Sequence, residues 1–144
     1  MTEAIARRTF RGLSAPEAIE SVHTQLDELW EDASFVPDMD RMTFTTAIIE
    51  AASNIVQHAV PVAADPVELG VDITVHLTIL QARVSAFNAK EPFASQLEPS
   101  MPDEESESGR GLALIQALVT TVTFERQDGT NTWILTRESS TSGS

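Results

Sequence analysis

The sequence predicts an α+β fold, a two-layer α/β sandwich in which a mostly antiparallel sheet has its helices on one face. Three observations predict it: two segments with helical apolar spacing in the first 60 residues, one segment of alternating apolar residues, and a short apolar helix followed by a strand hairpin. In chain order the elements are a strand, two helices, two strands, a long loop, a helix and two strands. We expect a single domain over residues 1–138.

Apolar periodicity locates the two long helices. Ser14 and Glu17 have the spacing of a capping box, and the apolar residues after them predict a helix over 15–32. A second helix is predicted from about residue 38 to just before Pro61. Its apolar side chains form one stripe at helical spacing: Phe44, Ala47, Ile48, Ala51, Ile55 and Ala59.

Alternation locates the central strands. The segment VDITVHLTI, residues 71–79, alternates almost strictly and predicts a half-buried strand. A turn at Gln81 and Ala82 would lead into a second strand over 83–88, and a short edge strand is predicted over 9–13.

Turn residues locate the C-terminal hairpin. Strands are predicted over 121–126 and 132–137, and the turn between them lies at Asp128 and Gly129, a pair that favours tight hairpins. The serine-rich tail 139–144 is expected to be disordered.

Residues 91–108 lack any apolar period. They contain three prolines, four serines and a run of acids. A loop of this length inside a compact domain is uncommon, and it is usually a functional lid or a disordered segment.

Composition limits the class of protein. No apolar run approaches the roughly 20 residues of a membrane span, residues 1–13 lack the apolar core of a secretory signal, and there is no cysteine. We therefore expect a cytoplasmic protein that is not attached to a membrane. The formal net charge of −13 argues against direct nucleic-acid binding. It fits a basic protein partner, and it equally fits simple solubility.

The segment EAASNIVQH places an acid, an amide and an imidazole on one face of the second helix. Glu50, Asn54 and His58 are four residues apart, beside the apolar stripe. Such a row can be only the polar border of an amphipathic helix. It can also be a carboxylate that takes a proton from a hydroxyl, next to an amide oxygen that binds a hard cation.

A second candidate site is the segment GRGLALI. Gly109 and Gly111 allow a close approach of the backbone to a ligand, and the start of the helix offers free N–H groups to an anion. Alone, two glycines at this spacing are weak evidence, since glycines often simply precede a helix.

Together these segments resemble the histidine-kinase-like ATPase (GHKL, Bergerat) fold. Within it, the short single-domain form is similar to the bacterial anti-sigma-factor serine/threonine protein kinases. Their N box is similar to FTTAIIEAASNIVQHA, residues 44–59, and their second glycine box is similar to GRGLALIQALV, residues 109–119.

The resemblance implies roles for the residues of the N box. Glu50 would be the general base that activates the target serine, and Asn54 would ligate a Mg²⁺ ion that bridges the ATP phosphates. His58 matches a histidine that often ends this box.

The resemblance also implies the remaining nucleotide contacts. Gly109 and Gly111 would lie against the phosphates, Arg110 would reach the outer ones, and residues 91–108 would be the ATP lid. The other matching positions in this set are Leu112 and Thr132, the latter near a threonine that helps to hold adenine in the family.

The first glycine box departs from the family pattern. The family reads roughly D-x-G-x-x-F at a strand end, whereas this chain has NAKEPF, with Asn88 at the aspartate position and Lys90 at the glycine position. An asparagine carbonyl can still accept a hydrogen bond from the adenine amino group, but without charge assistance. The Lys90 side chain is added where a close backbone approach is expected, although it can also point towards a phosphate.

Three hypotheses remain. The first is an ATP- and Mg²⁺-dependent serine kinase that is also an anti-sigma factor, with a sigma factor and a small antagonist protein as partners. The second is a nucleotide-weak or catalytically silent member of the fold that sequesters a partner. The third is an acidic α+β domain without a nucleotide. A homodimer through the first helix and first strand is an expectation carried over from the relatives.

Overall fold

The computed structural model describes residues 4–92 and 107–138, and for residues 107–111 it describes only the helical backbone. Five strands form one antiparallel sheet in the order β1-β2-β3-β5-β4, so the predicted α+β sandwich is confirmed. In chain order the elements are β1 (Ala6–Leu13), α1 (Pro16–Asp32), α2 (Asp38–His58), β2 (Glu68–Val75), β3 (Ile79–Phe87), α3 (Glu107–Leu118), β4 (Thr121–Gln127) and β5 (Thr130–Glu138).

The helices pack on one face of the sheet because alternate strand residues are apolar. On β2 the buried residues of this face are Leu69, Val71, Ile73 and Val75. The register sets them opposite β3 residues Ala86, Val84, Ala82 and Leu80, which are also buried. Burial of this shared face is the main favourable contribution to the fold.

Helix α2 is the central helix of the helical layer. Its predicted apolar stripe is buried from Phe44 to Ile55, and only Ala59, just after the helix, is partly exposed. It contacts α1, α3 and strands β2, β3 and β5. The side chains at its C-terminal end therefore lie between the sheet and α3.

The opposite face of the sheet carries charged side chains and the ring of Phe87. A Cβ atom at Gly70 would lie 2.5 Å from Cε2 of Phe87, so this glycine makes room for the ring. The Arg11 guanidinium lies 3.7 Å from the centre of the same ring. Arg7 pairs with Asp72 at 2.7 Å, and the pKa of Arg7 is raised by these hydrogen bonds and by the carboxylate charge.

The first hairpin differs from the prediction. The turn lies at residues 76–78, where the His76 N–H donates to the Ile79 carbonyl, and not at Gln81 and Ala82. The alternating pattern runs on through this turn, because Leu77 keeps the apolar phase although it is 62% exposed. No glycine or proline marks the turn in the sequence.

The capping-box prediction is also wrong. Ala15 is the N-cap of α1 and no side chain caps the helix, so Ser14 and Glu17 do not form the reciprocal pair. The Ser14 N–H instead donates to the Val67 carbonyl at 3.0 Å, which ties the chain to the segment before β2.

The second hairpin is confirmed at the predicted turn. Asp128 and Gly129 have φ values of 51° and 76°, and both central residues of a tight hairpin turn need this left-handed backbone. The turn fixes the register of β4 and β5.

The predicted lid, residues 91–108, lies mostly outside the described residues, as does the tail 139–144. Helix α3 begins at Glu107, two residues before the start of the predicted glycine segment. Among the described residues, no helix has the length and apolar character that crossing a membrane requires.

A buried ion pair joins β5 to α2, and its arginine also contacts α3. Asp40, in the first turn of α2, is fully buried, and its Oδ1 accepts a hydrogen bond from Nε of Arg137 at 2.9 Å. Nη1 of Arg137 donates to the carbonyl of Leu118, the last residue of α3, at 2.7 Å. One guanidinium at the end of β5 thus connects the start of α2 to the end of α3.

Arg137→Met is expected to lower the free energy of unfolding by about 3–5 kcal/mol, because it leaves the Asp40 carboxylate buried without this cation. The matched control is Arg83→Met, which breaks the exposed Arg83–Glu125 pair and should cost only about 0–1 kcal/mol. Urea unfolding followed by circular dichroism measures both. Equal losses in the two variants would contradict this role of Arg137.

Candidate functional site

A cavity of about 320 Å³ lies between the C-terminal half of α2, helix α3 and the ends of β3 and β5. Its walls are mainly apolar, with a few polar side chains, which is the usual character of a small-molecule site. The lining residues are Ala51, Asn54, Ile55, His58, Ala59, Val60, Ala86, Lys90, Glu91, Pro92, Leu112, Ile115, Asn131 and Trp133.

The polar row on α2 is brought partly into this cavity. Asn54 and His58 line it, whereas Glu50 is half-buried one turn earlier on the same helix and is not part of the wall. Four residues of helix advance by about 6 Å, which is the separation of Glu50 from Asn54 along the helix axis. The predicted shared face of the three side chains is consistent with this helix.

His58 contributes an unpaired ring nitrogen. Its Nε2 atom is buried and has no hydrogen-bond partner among the described residues. A buried imidazole nitrogen without a partner costs free energy unless a water or ligand satisfies it.

Of the two residues of the loop after β3 that were predicted to contact the nucleotide, Lys90 lines the cavity and Asn88 does not. Asn88 has a left-handed φ of 60°, and its Nδ2 donates to the Asp65 carbonyl, so its side chain is not part of the cavity wall. The contact of Asn88 with adenine that the resemblance implies stays a prediction, with the Asn88 amide nitrogen bonded to the loop in this geometry. Lys90 does line the cavity, and its backbone N–H donates to the Val60 carbonyl at 2.7 Å.

Asn131 is a polar residue of the cavity that the sequence analysis missed. It is 2% exposed, its Nδ2 donates to the Lys90 carbonyl at 2.8 Å, and its Oδ1 accepts from Nη1 of Arg126. The same Arg126 nitrogen donates to the Ala89 carbonyl at 2.9 Å. This network holds the loop after β3 against β5. The sequence contains a pattern that could have identified Asn131: it is two residues before Trp133 and four before Leu135, so all three share one face of β5.

Thr132, in contrast, is not brought to the cavity. Its neighbour Asn131 is opposite Ala86 on the helical face, so Thr132 lies on the other face of the sheet. There its hydroxyl is 2.9 Å from that of Ser85, with both residues buried. The register therefore places Thr132 away from the cavity wall, and its role at the nucleotide site stays a prediction.

Helix α3 supplies the far wall. Leu112 is 4% exposed and lines the cavity, together with Ile115 one turn later. The backbone of Gly109, Arg110 and Gly111 lies in the first turns of this helix, and the Arg110 side chain is outside the described part. The structure thus brings Asn54, His58, Lys90 and Leu112 together around one space, and Glu50 to its border.

Comparisons with known proteins identify the fold. The family model for the histidine kinase-like ATPase domain matches residues 13–137. Among solved structures, the crystal structure of the RsbU and RsbW domains of Rv1364c from Mycobacterium tuberculosis is similar, with a TM-score of 0.65 and 22% sequence identity. The match covers 92% of this chain and 32% of that chain, so this chain spans about a third of its length. No curated protein matches.

The family match extends from the end of β1 to the end of β5 and includes every wall of the cavity. The structural likeness, at this low identity, supports the fold alone. The chain therefore belongs to the family of histidine kinase-like ATPase domains.

Proposed function

We propose that this protein is an ATP-binding anti-sigma factor with protein serine kinase activity towards a small antagonist protein. The observation that carries the proposal is the cavity itself, in which the N-box Asn54 faces the glycine-bearing helix α3 on a histidine kinase-like ATPase fold. Membership of an ATPase family implies ATP binding, and the finer assignments rest on the resemblance to the anti-sigma-factor kinases.

The nucleotide would occupy the space between α2 and α3. Apolar walls from Ile55, Ile115 and Trp133 suit the faces of a purine base. The free N–H groups at the N-terminal end of α3, which begins at Glu107, suit the phosphates. Lys90 and Arg110 would add positive charge near the phosphates. This charge would offset the repulsion between the phosphates and a chain whose formal net charge is −13.

Magnesium would be held by the Asn54 amide oxygen together with ATP. Among the described residues there is no group of three or more histidine or acidic side chains that could form a metal site. The other oxygens around Mg²⁺ would come from phosphates and water, which is the usual arrangement for this cation.

Glu50 would act as the general base in phosphoryl transfer. The serine hydroxyl of the antagonist would give its proton to the Glu50 carboxylate as its oxygen bonds to the γ-phosphorus. The bond between that phosphorus and the β,γ-bridging oxygen would break, and ADP would leave with Mg²⁺. Positioning and charge neutralisation contribute most of the catalysis in such reactions.

Protein partners follow from the same resemblance. A sigma factor would be held inactive, a small antagonist would accept the phosphate, and a homodimer would form through α1 and β1. The protein would act in the cytoplasm, where its partners are. Magnesium, the dimer and the role in transcription are parts of this proposal.

A second candidate function is sequestration of a partner without nucleotide chemistry. The observation that favours it is Asn88, whose amide is bonded to the Asp65 carbonyl outside the cavity. Lys90 also places a side chain at the family's glycine position. In this reading the fold and its partner surface would be retained, and ATP affinity would be weak.

Asn54→Ala is expected to weaken ATP binding in the presence of Mg²⁺ by at least about tenfold, or roughly 1.4 kcal/mol, because it removes the proposed metal ligand. Isothermal titration with ATP, with and without Mg²⁺, measures this. The control is Gln57→Ala, an exposed amide on the same helix outside the cavity, which should leave affinity unchanged. If the wild type binds no ATP and Asn88→Asp with Lys90→Gly restores binding, the second function replaces the first.

Glu50→Gln is expected to reduce phosphate transfer from radiolabelled ATP by about 10²–10⁴-fold while ATP affinity is unchanged, because only proton removal is lost. The acceptor in the assay is a small anti-sigma-factor antagonist, and phosphoserine is read by mass spectrometry. The matched control is Glu20→Gln, an exposed acid on α1. ATP binding without any transfer, or transfer that Glu50→Gln leaves unchanged, would remove the kinase assignment.

A further inference from the structure

A second concave surface lies at the other end of α2, between the C-terminal half of α1 and the first turns of α2. We call it the α1–α2 groove, an open depression of about 770 Å³. Its wall includes Asp27, Trp30, Glu31, Asp38, Met42 and Thr45. Met42 and Asn54 are separated by twelve residues of α2, or about 18 Å of helix, so the groove is distinct from the cavity.

The floor of the groove is fixed. Trp30 is 9% exposed, and its Nε1 donates to Oγ1 of Thr45 at 2.9 Å, which joins α1 to α2 beneath the depression. A floor held by a buried ring and a hydrogen bond keeps its shape without a ligand. The groove is therefore pre-formed in the free chain.

Residues 35–42, which we call the rim, include several wall residues of the groove and three exposed apolar side chains. Met42 lines the groove and is 64% exposed, and Phe35 and Met39, which precede it in this segment, are 44% and 65% exposed. Isolated exposed apolar side chains are ordinary, but a cluster next to a groove is typical of an interaction site. Methionines in particular adapt to varied apolar partners.

The α1 wall carries negative charge that is not neutralised by an ion pair in the part of the chain that the structure describes. The four acids in the C-terminal half of α1 form two pairs, and the members of each pair are one helical turn apart. Glu28 and Asp32 both bind Arg8 on β1, at 3.1 and 2.7 Å. Asp27 and Glu31, on the groove side, are exposed and have no ion pair among the described residues. Asp38 on the α2 side pairs with Arg41, so the net charge of the wall remains negative.

We propose that the α1–α2 groove binds a basic amphipathic α-helix of another protein. Its apolar face would cover Met42 and the rim, and lysine or arginine side chains would meet Asp27 and Glu31. A helix is the shape that fits, because a groove between two helices accepts a third one with its apolar side down. The α2 wall from Asp38 to Thr46 extends about 12 Å, enough for two helical turns.

Charge complementarity selects this partner over others. Nucleic acid and anionic lipid would be repelled by the unpaired acids, and an acidic helix would be repelled likewise. A free metal cation would bind the acids alone and would leave the exposed methionines without a partner. Only a partner with both a basic and an apolar side satisfies the two features together.

The test uses ¹⁵N-labelled wild-type protein without nucleotide, so that its outcome is separate from that of the proposed function. The probe is a synthetic helical peptide of leucine, alanine and lysine, with leucines on one face and lysines beside them at i, i+4 spacing. We expect saturable binding with chemical-shift changes concentrated in residues 27–46. A peptide with glutamate in place of each lysine should not bind.

Two double variants with the same change of charge provide the control. Asp27→Asn with Glu31→Gln should weaken peptide binding by about five-fold or more, whereas Glu17→Gln with Glu20→Gln, at the other end of α1, should change it by less than about two-fold. Met42→Ser should also weaken it. The proposal is overturned by no saturable binding, by shifts centred elsewhere, by equal losses in both double variants, or by the same shifts appearing with protein concentration alone, which would indicate a second copy.

Discussion

The Asp40–Arg137 ion pair is the interaction on which the geometry of the helical layer depends. A fully buried carboxylate needs a partner, and Arg137, near the end of β5, donates a hydrogen bond to Asp40 in the first turn of α2. The same guanidinium takes the last carbonyl of α3. Because α2 and α3 are the two helical walls of the cavity, fixing their far ends to one strand sets the angle between them.

The pleat of β3 and β5 then decides which side chains reach the cavity. Ala86 and Asn131 face each other across the two strands on the helical side, and Ser85 and Thr132 face each other on the opposite side. A small residue beside a buried amide leaves room for a ligand while the amide holds the loop that carries Lys90. The position of that loop is thus a result of strand register.

Much of this arrangement was predictable from patterns that reflect burial. The periodicity of α2 and the Asp128–Gly129 turn gave correct elements, since apolar spacing and left-handed turn residues express constraints of the folded chain itself. The turn at 76–78 was missed because Leu77 is apolar yet exposed. The sequence pointed to Thr132 and not to its neighbour Asn131, because a family motif marks a position only approximately, whereas successive residues of a strand point to opposite faces of the sheet. Asn88 could not be placed, since its hydrogen bond to Asp65 depends on how a loop folds.

The function proposed for this fold requires that a nucleotide occupies the space between α2 and α3. Trp133 lines this space, whereas Trp30 lies at the other end of α2, and the chain has no further tryptophan. In a Trp30→Phe variant the fluorescence of Trp133 therefore reports on the cavity alone. Titration with ATP and Mg²⁺ is predicted to change this emission saturably, and Asn54→Ala to weaken the response. Emission that stays constant up to millimolar ATP would contradict the claim.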